Sequence, residues 1–167
     1  PSLTLSSQKK LIFLLLMIIP TKFNLIKLFV MKTKFYRCRV CGNIVTKLHD
    51  SGVGPYGCSQ PMEELRANTE DASHEKHVPV LTKTDDSHLM VRVGADPHPM
   101  TDEHHIMFIY LETTDKKGNH EGHFVLLDKT GEPMKEFCAC SGEVVAVYAY
   151  CNLHGLWCQN FEEPKKR

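Results

Sequence analysis

The sequence predicts a mainly β protein, an antiparallel β-sandwich preceded by a small cysteine-containing module. Three observations predict it. From residue 77 onward the apolar period is two, with Val78 and Val80, then Leu89, Val91 and Val93, then Ile106, Phe108 and Tyr110 alternating with their neighbours. Turn-forming clusters punctuate these runs: Asp85-Asp86-Ser87, Gly94-Ala95-Asp96-Pro97, residues 115–119, Thr130-Gly131-Glu132-Pro133 and Ser141-Gly142. No stretch carries the 3.6-residue period of a long helix. Strands of this length and spacing build sandwiches. Further strands are expected at Phe124-Val125-Leu126-Leu127, Phe137 to Cys140 and Val144 to Tyr148. His77 is expected to open the first of them.

The segment from Lys34 to Met62 holds Cys38, Cys41 and Cys58 among glycines and turn residues. It has too few apolar residues for a core of its own, so it needs a metal or a partner surface. Residues 63–76 are polar and read as a linker with one helical turn. The first thirty residues form a separate regime. Lys9-Lys10 precede an apolar run of nine, Leu11 to Ile19, far short of the roughly 20 residues of a membrane span. The run has the shape of a secretion signal but lacks a small-residue cleavage site. The expected organisation is an extension over 1–30 (upstream, disordered or helical), a module over 31–67 and a sandwich over 68–167. A cytoplasmic protein is expected, with export as the alternative if the first thirty residues are a true signal. No membrane association is expected.

Net charge is zero over the 167 residues, but residues 1–30 hold four lysines and no acid, leaving 16 basic against 20 acidic residues in the rest. That balance excludes general nucleic-acid binding, which needs a basic footprint. Seven cysteines, an odd number, fit a closed disulfide framework poorly. Together with ten histidines they point to metal. Cys138 and Cys140 read as small buried residues, and Cys158 as a free thiol.

Three features converge at strand ends and loops of the sandwich, where ligands distant in sequence can meet. These are His77 in Glu75-Lys76-His77-Val78-Pro79, the pair His98 and His104 bracketing Pro99-Met100-Thr101-Asp102-Glu103, and Cys151 with His154 in Cys151-Asn152-Leu153-His154-Gly155-Leu156-Trp157. Imidazoles with a thiolate suit iron, copper or zinc rather than calcium or magnesium. The spacing from His98 favours His104 over His105, which should point to the opposite strand face. His49, His74, His88, His120 and His123 read as exposed polar residues, and Trp157 as packing beside the site.

These three motifs, in this order, resemble the superoxide reductase family. The Cys38-x-x-Cys41-Gly-Asn-Ile-Val start resembles its two-domain form, desulfoferrodoxin, with a desulforedoxin-like module in front. The resemblance implies an immunoglobulin-like sandwich that holds one iron, Fe(2+)/Fe(3+), through His77, His98, His104 and His154 in the equatorial plane and Cys151 on the axis. It implies Glu75 and Lys76 over an open sixth position, and reduction of superoxide to hydrogen peroxide with electrons from rubredoxin or a similar donor. It also implies a homodimer. The alternative reading is a non-catalytic iron- or copper-binding electron-transfer module, which would fill or bury the sixth position. A structural zinc protein is disfavoured because zinc prefers four ligands.

The chain departs from the family in its module. Four thiolates, from Cys-x-x-Cys and an adjacent Cys-Cys pair, are the family pattern. Here Gly57 stands before Cys58, so only Cys38, Cys41 and Cys58 remain. A second iron or zinc is therefore not expected, and an empty module retained for dimer packing is favoured. The other reading is a three-cysteine site completed by His49, water or a partner residue.

Overall fold

The computed structural model describes residues 33–115, 117–138 and 142–161. The reading of residues 1–30 and the place of Cys140 lie outside them. The elements in chain order are β1 (Phe35–Arg37), β2 (Ile44–Thr46), β3 (Tyr56–Gly57), β4 (Gln60–Pro61), β5 (Glu63–Leu65), α1 (His74–His77), β6 (Pro79–Lys83), β7 (His88–Val93), β8 (Ile106–Asp115), β9 (His120–Leu126), β10 (Met134–Cys138), β11 (Gly142–Cys151) and β12 (Gly155–Asn160). Among the described residues no helix is long and apolar enough to cross a membrane.

Two antiparallel sheets make the sandwich, one ordered β10-β7-β6 and the other β12-β11-β8-β9. Alternate side chains of facing strands fill the space between them: Val91, Val93, Ile109, Leu111, Phe137, Val147 and Ala149 are buried in one cluster. This is the fold class expected from the period-two pattern. The module is a third sheet, β2-β1-β5, with the β3-β4 hairpin beside it.

β8 and β11 are buried on both faces, which is unusual for an antiparallel sheet with one solvated side. The module explains it. Phe35 of β1 is 3% exposed, with its ring centroid 5.6 Å from Phe108, 5.5 Å from Tyr110 and 5.3 Å from Tyr148. Those three rings project from the outer face of the four-stranded sheet, so the module roofs what would otherwise be an apolar patch. Arg37 adds a polar tie, donating to the Tyr150 hydroxyl at 3.3 Å.

Four local readings are corrected. His77 ends a helical turn, and the strand begins only at Pro79. Glu63–Leu65 pairs with β1 as a strand, so it is not linker. Gly155–Asn160 is also a strand, unforeseen because Leu156, Trp157 and Cys158 are all buried and leave no alternation to read. The free edge of β12 is covered by Asn68. Its side chain accepts from the Cys158 N–H at 2.9 Å and donates to the Cys158 carbonyl at 3.0 Å. Cys138, expected to be buried, is exposed at the end of β10 and disulfide-bonded. Cys158 is buried and outside any disulfide, its sulfur donating to the Asn160 side-chain oxygen at 3.6 Å.

Candidate metal centre

Three short segments, none carrying more than two donors, meet at one end of the sandwich. Cys151 ends β11 at a register shift, where pairing with β8 jumps from Tyr150↔Phe108 to Cys151↔Ile106. Such irregularities re-aim a side chain. The three-residue connection Asn152-Leu153-His154 then returns the chain to β12, with Gly155 at φ +68° closing the hairpin as three-residue loops require. The tight turn places the His154 N–H 3.4 Å from the Cys151 sulfur.

His98 and His104 flank a loop that folds on itself, with the Thr101 N–H donating to the His104 carbonyl and the His104 N–H donating to the Thr101 hydroxyl, both at 3.0 Å. Asn152 clamps this loop to the hairpin. Its side chain donates to the Glu103 carbonyl at 2.8 Å and accepts from the His105 N–H at 2.9 Å, and its own N–H donates to the His105 carbonyl at 3.1 Å. His77 is the last residue of α1. Trp157, fully buried, stacks on the His77 ring at 4.8 Å and donates its indole N–H to the His154 carbonyl at 2.9 Å.

One atom from each of His77, His98, His104, Cys151 and His154 lies within 4.8 Å of every other. The rings form a cycle in which each neighbour is nearly perpendicular to the next. Centroid separations are 4.7 Å for His77–His98, 4.4 Å for His98–His104, 4.8 Å for His104–His154 and 4.7 Å for His154–His77. His77 and His104 face each other across the cycle at 6.0 Å. Cys151 belongs to the core cluster and so reaches the group from the protein interior.

Hydrogen bonds identify the donor nitrogens. His77 Nδ1 is 2.7 Å from the Ser73 carbonyl and His98 Nδ1 is 2.6 Å from the Pro99 carbonyl. A carbonyl can only accept, so both Nδ1 atoms carry the proton and both Nε2 atoms present lone pairs. His154 does the reverse, turning its Nδ1 to within 2.9 Å of His77 Nε2 and 3.7 Å of the Cys151 sulfur. The Nε2 atoms of His98 and His104 are buried without any hydrogen-bond partner. Buried polar atoms are almost always satisfied. Two buried, unpartnered ring nitrogens in a group of four imidazoles and a thiol are explained by a cation, and this donor set fits iron.

Burial holds His77, His98 and His104 below the ordinary imidazole value, His98 at about 4, and it pushes the Cys151 thiol up. Hydrogen bonds to the sulfur from the backbone N–H groups of His154 and Leu153 oppose the rise. Neutral imidazoles are ready to ligate, and a bound cation would favour the thiolate. The histidine shifts also fix an acid dependence for protein stripped of metal. An unfolded chain takes up these protons near pH 6.5, the folded chain only at lower pH. Stability should therefore fall as pH drops from about 6.5 toward 4, with nothing further lost through His98 below that. Asp85, held near 2, loses its contribution only as pH falls below its ordinary 3.8, outside this window. Urea midpoints of chelator-treated protein between pH 7 and 4 test this, and a flat profile would refute it.

Lys76 is exposed, and its charge disfavours protonation of His77 and His104, which places it in the electrostatic field of the site. Glu75 is exposed and is not among the converging donors. Its carboxylate accepts from the Ser73 hydroxyl at 3.0 Å. His105 stays outside the cycle, with its Nδ1 2.9 Å from the Thr101 carbonyl. His49 is exposed, and it does not join Cys38, Cys41 and Cys58, which form a second converging group of three. The clamp Asn152 and the carbonyls of Ser73 and Pro99 were not legible in the sequence. Each of these contacts has a backbone atom on one side, and backbone atoms leave no trace in residue identity.

Comparison with known proteins agrees with this geometry. The family model of desulfoferrodoxin matches residues 69–160, and that of the desulfoferrodoxin N-terminal domain matches residues 31–65. The chain is 42% identical over 126 residues to a desulfoferrodoxin of Syntrophotalea carbinolica, covering 75% of this chain and 94% of that protein. It is 36% identical over 103 residues to a superoxide reductase of Pyrococcus abyssi, covering 52% and 86%. The crystal structure of the superoxide reductase from Treponema pallidum superposes with a TM-score of 0.62 at 28% identity, covering 77% of this chain and 99% of that one. The chain belongs to the desulfoferrodoxin family.

Proposed function

We propose that this protein is a superoxide reductase, catalysing one-electron reduction of superoxide to hydrogen peroxide at a single iron held by His77 Nε2, His98 Nε2, His104 Nε2, His154 Nδ1 and the Cys151 thiolate. The observation that carries the reading is the convergence of these five donors with two buried nitrogens left unpartnered. The superoxide reductases among its relatives and structural neighbours support it. Bound there, iron would supply the electron and a coordination position for the anion.

The chain's own residues supply the rest. Lys76 draws a small anion toward the site, against the acidic excess of residues 31–167, and loses little by staying solvated. The N–H bonds to the Cys151 sulfur temper the electron density that the thiolate donates. Buried Trp157 keeps the His77 ring fixed and excludes water from its face. Reduction consumes two protons, which solvent supplies beside the exposed Glu75 and Lys76. We assign to Glu75 the role of a carboxylate that, released from the Ser73 hydroxyl, would cap the open position of the oxidised site. A rubredoxin-like donor, a homodimer and a cytoplasmic location complete the proposal.

Iron-loaded protein with a reductant should consume superoxide and form hydrogen peroxide without releasing oxygen. Oxygen evolution would identify a dismutase instead, and no consumption would leave only an electron carrier. Lys76→Ala should slow the reaction with superoxide by about tenfold at low ionic strength and flatten its salt dependence. Pulse-generated superoxide at several salt concentrations measures both. An unchanged rate removes Lys76 from the mechanism.

A further inference from the structure

The family's N-terminal module implies a ferric ion held by four thiolates, and the residues present do not fit it. Cys38, Cys41 and Cys58 bring their sulfurs within 4.8 Å of one another, and among the described residues no histidine, aspartate or glutamate atom joins them. The fourth corner belongs to Gly57. A Cβ built there would lie 3.3 Å from the Cys38 sulfur and 3.4 Å from Met62 Cγ. The half-buried Met62 side chain therefore occupies the neighbourhood that a fourth cysteine would have filled.

The three-sulfur arrangement is nonetheless fully built. Cys38 is 1% exposed, and its sulfur accepts backbone N–H groups from Val40 and Cys41. The first knuckle is closed by Gly42, at φ +77°, donating to the Cys38 carbonyl at 2.9 Å. The second is the two-residue β3-β4 turn, where Cys58 and Ser59 adopt φ +49° and +63°. Turns of this kind normally take Asn-Gly. A non-glycine residue in the left-handed region is strained, and such strain persists where the surroundings hold it for a purpose. Here it aims Cys58 at Cys38 and Cys41.

We propose that Cys38, Cys41 and Cys58, with the Met62 thioether at the open corner, form a site for one monovalent copper ion. Three thiolates and a thioether are uniformly soft donors, which select Cu(I). Zinc at this set would need water or an added donor in its fourth position, and the ferric four-thiolate centre lacks its fourth thiolate. Binding releases the thiol protons to solvent and involves no change of oxidation state.

The test is an anaerobic titration of the full-length, iron-loaded protein with Cu(I), in competition with a chromogenic Cu(I) chelator. One equivalent per chain should leave the chelator. Cys41→Ser and Cys58→Ser, both at exposed positions that leave the fold intact, should each weaken binding by more than about a hundredfold, beyond the usual effect of losing an outer partner. Met62→Leu should weaken it by about tenfold. Equimolar Zn(II) should not displace the copper, and aerobic protein should hold one iron and lack the visible absorption of a ferric four-thiolate centre. The proposal is overturned if the cysteine variants hold Cu(I) as tightly as the parent, if Met62→Leu is without effect, if Zn(II) displaces the copper, or if a second iron is found.

Discussion

Gly94→Ala should abolish metal binding at the five-donor site and cost more than about 4 kcal/mol of stability, a range reached only by changes with a specific structural cause. Gly94 follows β7 at φ +84°, and a Cβ there would stand 2.2 Å from the Asp96 carbonyl oxygen and 2.6 Å from the Lys76 carbonyl oxygen. Both are backbone atoms, so no side-chain rotation relieves the overlap. The turn is also pinned to α1. The Gly94 N–H donates to the Val78 carbonyl at 3.1 Å, and the Asp96 N–H to the Glu75 carbonyl at 3.2 Å. Any shift that admits the methyl group separates the segment carrying His77 from the segment carrying His98. A ligand ring moved by even about 1 Å no longer shares a point with the others. Gly118→Ala is the matched control. Gly118 has φ +86° but nothing within 4 Å of its Cβ position, so only the backbone penalty of about 1–2 kcal/mol applies. Urea midpoints and iron stoichiometry of the two variants decide the matter. Equal behaviour would show that close approach of backbone at Gly94 is not what organises the site.

Phe35→Ala should cost about 3–5 kcal/mol, the usual loss for emptying a buried aromatic position, while iron stoichiometry stays at one. The ring is enclosed by Phe108, Tyr110 and Tyr148, so truncation both removes transfer energy and leaves a cavity that three anchored rings cannot collapse. The five metal donors come from other segments, and none depends on Phe35. Val40→Ala in the same module, at a position 62% exposed, should stay within about 0.5 kcal/mol. A small effect at Phe35 would mean that the module is dispensable to the sandwich. A large one explains why the module persists although its family-type centre has lost a ligand: it seals the outer face of the four-stranded sheet.

Much of the candidate site was legible because its donors are rare residue types in local motifs. His77, His98, His104, Cys151 and His154 could be named because three local motifs resemble those of a known family, and the six-residue spacing from His98 favoured His104 over His105, although both precede β8 rather than lie on it. The sandwich was legible because a half-buried strand writes its burial into alternation. Both signals fail where burial is two-sided or the partner is backbone. β12 escaped notice for the first reason, and Asn152, Ser73 and Pro99 for the second.

The sequence by itself thus determined which side chains could gather around a metal, and that a β-sandwich would carry them. It also showed, through Gly57 before Cys58, that the module is one thiolate short. Only the tertiary structure decided that His154 turns its Nδ1 inward while His77 presents Nε2, that Gly94 must lack a side chain, that Phe35 roofs the outer sheet and that Met62 packs beside Gly57 next to the three thiols. Each of these depends on distances between segments far apart in the chain. Residue identity and spacing carry local preference, whereas such distances exist only once the sheets have packed.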